Sequence, residues 1–272
     1  MPALQDFLRL HAQEDLMPWS VQVEAAKQFG LTYGAIEEAA LEIDLLPARY
    51  VRNRQTMTTR QQLCLFRSKV AVIGCGGLGG YAVEEMARLG IGHIKVIDPD
   101  VLVEHNLNRQ ILSSPVVLGK PKVELAAQRV KEINPAVTVI PVKKAFTPGN
   151  GTELLQGINI VLDALDTIPT RLELAEICKK VNIPLVHGSI AGWYGQAAVQ
   201  FPGEDILAKI YSRYKGKSGI ETELGIPSFT PAVVASIQVA EVCKILLNEG
   251  KPLRQRMLSI NLLDMEIVEI QL

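Results

Sequence analysis

KVAVIGCGGLGG, residues 69–80, is the stretch that decides the fold. The apolar run Lys69–Gly74 ends in glycines and reads as a fully buried strand. Gly74-Cys75-Gly76-Gly77-Leu78-Gly79 then turns the chain into a helix expected over Leu78–Leu89. Glycine is needed there because the turn is tight and because a phosphate has to approach the backbone closely. Amides at the helix N-terminus can then hydrogen-bond the anion. HIKVID, residues 93–98, is a second strand stopped by Pro99, and Asp98 at its end is placed to accept hydrogen bonds from ribose hydroxyls. These features imply a bound nucleotide without choosing among ATP, NAD and FAD.

Outward from that turn, strand and helix patterns alternate. Lys122–Asn134 reads as a helix closed by Pro135, and Thr170–Val181 as another. Thr138–Val142, Asn159–Asp163 and Ile183–His187 read as strands. Such alternation predicts an α/β fold: a doubly wound, mostly parallel, Rossmann-like sheet covered on both faces. Gly192–Phe201 is a further strand with no obvious crossover helix before it. A long loop from Pro202 to Ser228, an apolar helix over Pro231–Leu247 and strands near Met257–Leu263 and Glu266–Ile270 complete the chain.

Of the 272 residues, 48% are hydrophobic and 21% charged, and the net charge is −1, which gives no general basis for holding nucleic acid or an anionic membrane. The Pro231–Leu247 segment is interrupted by Gln238, Glu241 and Lys244, so it reads as a buried helix rather than a membrane span. Four cysteines (Cys64, Cys75, Cys178, Cys243) lie far apart with no CxxC pair, so neither a disulfide framework nor a zinc site is expected, and a reducing cytoplasm fits. His11, His93, His105 and His187 show no ligand spacing.

Charge is nonetheless unevenly spread. Residues 1–47 carry eight acids against Arg9 and Lys27, whereas residues 48–70 carry six cations and no acid. The switch predicts an acidic helical cap (1–47) ahead of a nucleotide-binding domain (48–272) that begins with a basic strap (48–70). Val23–Ile43 has the helix–glycine–helix outline of a DNA-reading motif, but one lysine is too little cation for phosphate contacts, and a docked helical cap is the expectation.

The chemistry is concentrated after the second strand. Asp98-Pro-Asp100 leads into Asn106-Leu-Asn-Arg109-Gln110, and then into Gly119-Lys-Pro-Lys122 at a helix start. Asp163-Ala-Leu-Asp166-Thr167 ends the strand NIVLD. A hydride-transfer enzyme has no need of Asn, Arg and Lys beside nucleotide phosphates. A nucleotidyl transfer does, because charge builds on the α-phosphate and the leaving pyrophosphate. Asp166, at the carboxyl end of a parallel strand, is suited to holding Mg²⁺.

Through RYVRNRQ, GCGGLGG, IDPDVLVEHNLNRQ, GKPK, VLDALDT and GQAAVQFPG, the chain from about Arg49 onward resembles the MoeB/ThiF/HesA family, relatives of the adenylation domain of ubiquitin-activating enzymes. The resemblance implies a homodimer that binds MgATP and the C-terminal Gly-Gly tail of a small ubiquitin-fold sulfur carrier. It would form an acyl-adenylate and pyrophosphate, as in molybdopterin or thiamine biosynthesis. The nucleotide-binding set is then Gly74, Gly76, Gly77, Gly79, Asp98, Asp100, Asn106, Arg109, Lys122, Asp166 and Thr167. Gly77 faces the phosphates, Asp98 the ribose, and Asn106, Arg109 and Lys122 hold the phosphates. Arg109, Lys122, the metal-linked Asp166 and Arg54 form the catalytic set, with Arg54 reaching the γ-phosphate in the other subunit.

Two departures from the family sharpen this expectation. The paired CxxC motifs that bind zinc in many members are missing, and residues 202–228 contain no cysteine, so the reaction is expected to stop at the adenylate. Cys75 is read as a small side chain tolerated in the glycine turn. The alternatives are an ATP-dependent dehydratase acting on a modified tRNA nucleoside, activation of a short peptide, a nicotinamide oxidoreductase, and a binding module without catalysis.

Overall fold

A computed structural model of the chain describes residues 2–212 and 221–272. The N-terminal segment folds as α1 (Pro2–His11), β1 (Leu16–Met17), α2 (Trp19–Phe29), α3 (Tyr33–Glu42) and β2 (Leu46–Pro47), with β1 and β2 paired in parallel. Gly30 ends α2 in the left-handed region at φ 65°, and Thr32 caps α3 by accepting the Ala35 N–H. Leu4, Leu8, Met17, Ala25 and Ile36 give this cap a small apolar core of its own.

The strap carries structure that its sequence pattern did not announce. A 3₁₀ turn over Ala48–Asn53 precedes α4 (Thr59–Arg67), which opens on a capping box between Thr58 and Gln61. Its cations meet the acids of the cap: Arg49 lies 3.4 Å from Glu37, Arg54 pairs with Asp15, and Arg67 pairs with Glu38 and Glu42. The charge switch is therefore also a docking interface within the chain, beyond the phosphate-reaching role expected of Arg54. Glu37 is fully buried, and it accepts hydrogen bonds from Tyr50 (2.7 Å) and Gln22 (3.2 Å).

The main domain then runs β3 (Lys69–Ile73), α5 (Gly77–Leu89), β4 (His93–Ile97), α6 (Lys122–Ile133), β5 (Thr138–Val142), α7 (Gly151–Leu154), β6 (Ile160–Asp163), α8 (Ile168–Lys180), β7 (Leu185–Ala191) and β8 (Tyr194–Gln200). It closes with α9 (Ile206–Ile210), α10 (Glu221–Leu224), α11 (Phe229–Leu247), β9 (Arg256–Asn261) and β10 (Glu266–Gln271). Among the described residues the strand order is β10-β9-β8-β7-β6-β3-β4-β5. The run β7-β6-β3-β4-β5 is parallel and the pairs from β7 to β10 are antiparallel.

Alternation along β3 explains its uniformly apolar sequence. Val70 and Val72 enter the core beneath α5, α6 and α11, while Ala71 and Ile73 enter the opposite core with Leu174, Ala175 and Cys178 of α8. Helix α11 packs against α5, β7 and β8, burying Val234, Ala235, Val239 and Val242, although its length and composition alone would also suit a membrane span. The segment read as one loop, 202–228, instead contains α9 and α10; residues 213–220 of it lie outside the described residues.

Candidate active site

A cavity of about 430 Å³ opens at the carboxyl ends of β3, β4 and β6, a volume within the range of small-molecule sites, roughly 300–1,000 Å³. It also lies where ligands bind in open α/β sheets. Its wall includes Gly74, Gly76, Gly77, Asp98, Asp100, Asn106, Arg109, Lys122, Asp166 and Thr167. Two expected residues are elsewhere. Gly79 is not on the wall, and a Cβ there would lie 1.9 Å from the Gly74 carbonyl oxygen, so its glycine serves the close packing of α5 on the turn. Arg54 stays on the strap with Asp15 and does not line this chain's own cavity.

The glycine turn is built by contact as well as by torsion. Gly74 has φ 93°, and a Cβ on it would come 2.5 Å from the Ala164 carbonyl oxygen. Gly77 begins α5, and a Cβ there would meet the Pro231 ring at 3.3 Å, so the approach to this helix N-terminus is kept clear.

Asp98 ties the turn to the next loop. Its carboxylate accepts the Cys75 N–H at 2.6 Å and the Asp100 N–H at 2.7 Å, with the Lys122 Nζ at 3.9 Å. Burial pushes its pKa up, against those donors and the lysine charge. Lys122 starts α6, is buried, and donates to Asp100 at 2.8 Å. Asn106 is also buried and accepts the Val103 N–H at 3.0 Å, closing the 3₁₀ turn that presents Arg109. The Arg109 guanidinium donates to the His105 carbonyl (2.9 Å) and to Asn108 (3.0 Å), and burial lowers its pKa.

On the other side, Asp163 is wholly buried while Asp166 is exposed, because β6 ends between them and the chain turns into α8. The Thr167 hydroxyl donates to Thr170 at 2.8 Å at the start of that helix. The cavity therefore has a cationic side (Arg109, Lys122) and several hard carboxylate oxygens. Such a set fits Mg²⁺, which takes one or two carboxylates and completes its shell with phosphates and water. Cys75 is buried within the turn, and burial with the nearby Asp98 charge raises its thiol pKa strongly, which disfavours a thiolate there.

Residues that the sequence reading did not place in the site also line it: Gln110, Phe146, Thr170, Arg171 and Ile226. Arg171 carried a usable signal, since it lies one helical turn beyond Thr167 and so faces back toward the loop before α8. Phe146 and Ile226 carried none, because they arrive from loops remote in sequence.

The ThiF family description matches residues 50–272. The SAMP-activating enzyme E1 of Haloferax volcanii is 36% identical over 203 residues, covering 74% of this chain and 75% of that protein. The sulfur carrier protein adenylyltransferase of Thermus thermophilus is 33% identical over 203 residues, covering 71% of this chain and 74% of its own. Among solved structures, one of E. coli MccB superposes with a TM-score of 0.70 at 21% identity, over 82% of this chain and 71% of that one, a likeness of fold.

Proposed function

The chain belongs to the ThiF family, and from that premise we propose that it uses MgATP to adenylate the C-terminal carboxylate of a small ubiquitin-fold sulfur carrier. The observation that carries this reading is the convergence of Asn106, Arg109 and Lys122 with Asp98 and Asp166 on one cavity beside the glycine turn. The names of its relatives point the same way, one activating SAMP and another adenylating a sulfur carrier protein.

In this mechanism Asp98 accepts from the ribose hydroxyls and the N-terminus of α5 receives phosphate oxygens. A carboxylate oxygen of the carrier attacks the α-phosphorus, the bond from that phosphorus to the bridging oxygen breaks, and pyrophosphate departs. Lys122 and Arg109 supply fixed positive charge where the transition state gains negative charge, in a partly desolvated site where such charge counts most. Lys122 exchanges its Asp100 partner for a phosphate oxygen, and Asn106 holds the loop that aims Arg109. Asp166 would hold Mg²⁺, which when bound neutralises charge on the phosphates. Arg54 acts in a homodimer, leaving Asp15 to reach the γ-phosphate bound by the partner. The product is the acyl-adenylate, with no loop thioester.

The reading is tested by ATP–pyrophosphate exchange with and without a Gly-Gly-ended carrier. Exchange that depends on the carrier supports it. Exchange that depends on modified tRNA instead would move the chain to the dehydratase reading, and NAD binding without exchange would remove both.

A further inference from the structure

The peptide units on either side of Leu165 lead directly into Asp166, and both are held from within the protein. The Leu165 N–H donates to Asp163 Oδ1 at 3.0 Å, and the Leu165 carbonyl accepts from Arg171 Nε at 3.1 Å. Neither holder is independent. Asp163 Oδ2 accepts from His187 Nδ1 at 2.7 Å, across the β6–β7 register that sets these two residues side by side. Arg171 Nη2 donates to the same Leu165 carbonyl, the third nitrogen, Nη1, donates to the Tyr211 hydroxyl at 2.7 Å, and that hydroxyl lies 3.1 Å from His187 Nε2.

The chemistry of the groups fixes the direction of every bond. A carboxylate only accepts, so His187 carries its proton on Nδ1 and presents a lone pair at Nε2. The Tyr211 O–H therefore donates to His187, and its oxygen accepts from Arg171 and from Gln196, whose Nε2 lies at 3.3 Å. The hydroxyl is thereby saturated, with one bond given and two received. The two arms meet at this single oxygen, and they close a ring that begins and ends on Leu165.

We propose that Tyr211 is a positioning residue for the ATP site, its hydroxyl locking the His187–Asp163 and Arg171 arms that fix the Leu165 peptides and so aim Asp166. Tyr211 directly follows α9, in the segment that leads toward residues 213–220. Its place links the end of α9 to the acid on the cavity wall. This proposal rests on the reading of Asp166 as the metal-linked acid of an adenylating site.

The test compares full-length wild type, Tyr211→Phe and Arg171→Lys, which keeps its charge but loses the forked contact. Two quantities are read: amide hydrogen exchange at Leu165 without ligands, and the Mg²⁺ concentration for half-maximal pyrophosphate exchange. Loosening the lock should speed exchange of this amide roughly tenfold and raise the Mg²⁺ requirement by a similar factor. For Tyr211→Phe, whose side chain does not line the cavity, half-saturation by ATP at high Mg²⁺ should stay near wild type. Wild-type amide protection or an unchanged Mg²⁺ requirement in both variants overturns the proposal. If Tyr211→Phe does not fold, Arg171→Lys alone decides by the same criteria. Absence of pyrophosphate exchange in the wild type would instead indict the adenylation reading, while the amide protection would still report on the lock.

Discussion

Arg54 in the basic strap is ion-paired with Asp15 in the acidic cap, so the cation proposed to serve a neighbouring active site is held by its own chain's N-terminal segment. Both side chains are partly exposed, and pairs of that kind contribute little to stability, which leaves the arginine able to change partners. If Arg54 works in trans, a chain carrying Arg54→Ala and a chain carrying Asp166→Ala should complement each other. Random pairing in a two-fold dimer gives roughly a quarter of the wild-type sites. Pyrophosphate exchange after co-refolding measures this, and a mixture no more active than its parents would exclude the trans role.

The glycine turn predicts two different failures. Gly79→Ala drives a Cβ to 1.9 Å from the Gly74 carbonyl oxygen, so α5 must move away from the turn. A loss of about 1–3 kcal/mol is expected, read as a lowered denaturation midpoint. Gly77→Ala meets the Pro231 ring at 3.3 Å, a contact that small adjustment relieves. Its fold should survive while ATP affinity falls, which isothermal calorimetry would show. Equal stability losses in the two variants would contradict this division of roles.

Lys122 is a buried cation of the cavity, and its Asp100 partner lies largely in solvent. Lys122→Ala should lower kcat for pyrophosphate exchange by roughly 10²–10³, the usual consequence of removing one aligned charge from a transition state. Circular dichroism should remain that of the native protein. A variant with normal kcat would remove Lys122 from the chemistry.

His187 gives stability a defined pH dependence. Burial lowers its folded pKa below the ordinary 6.5, and Arg171 nearby acts in the same direction while Asp163 opposes. Because the unfolded chain binds the proton more readily, stability is complete above about pH 6.5 and falls as pH drops below it. The slope from one proton is at most about 1.4 kcal/mol per pH unit. Urea denaturation between pH 5 and 8 should show this slope in the wild type and a shallower one in His187→Gln. Parallel curves would refute it.

Much of the site was legible in sequence because its residues come in short runs at strand ends: the glycine turn, Asn106 to Gln110, Asp163 to Thr167. Local order and cavity position coincide there. The lock at Tyr211 was not legible, since His187, Asp163, Arg171 and Tyr211 come from four elements and only the β6–β7 register and the return of α9 bring them together. The pairing of strap with cap left a visible trace in the opposed charges of residues 1–47 and 48–70. That trace identified a boundary, while the partners depended on where α3 and α4 lie. Two consecutive helices packing on each other let Arg67 reach Glu38 and Glu42.

The most direct test of the central claim is ATP–pyrophosphate exchange by the purified chain against a ubiquitin-fold carrier ending in Gly-Gly, beside the same carrier lacking its last glycine. Exchange with the intact tail, lost on removing that glycine, is the predicted result. Equal exchange with both carriers, or none with either while ATP still binds, would contradict it.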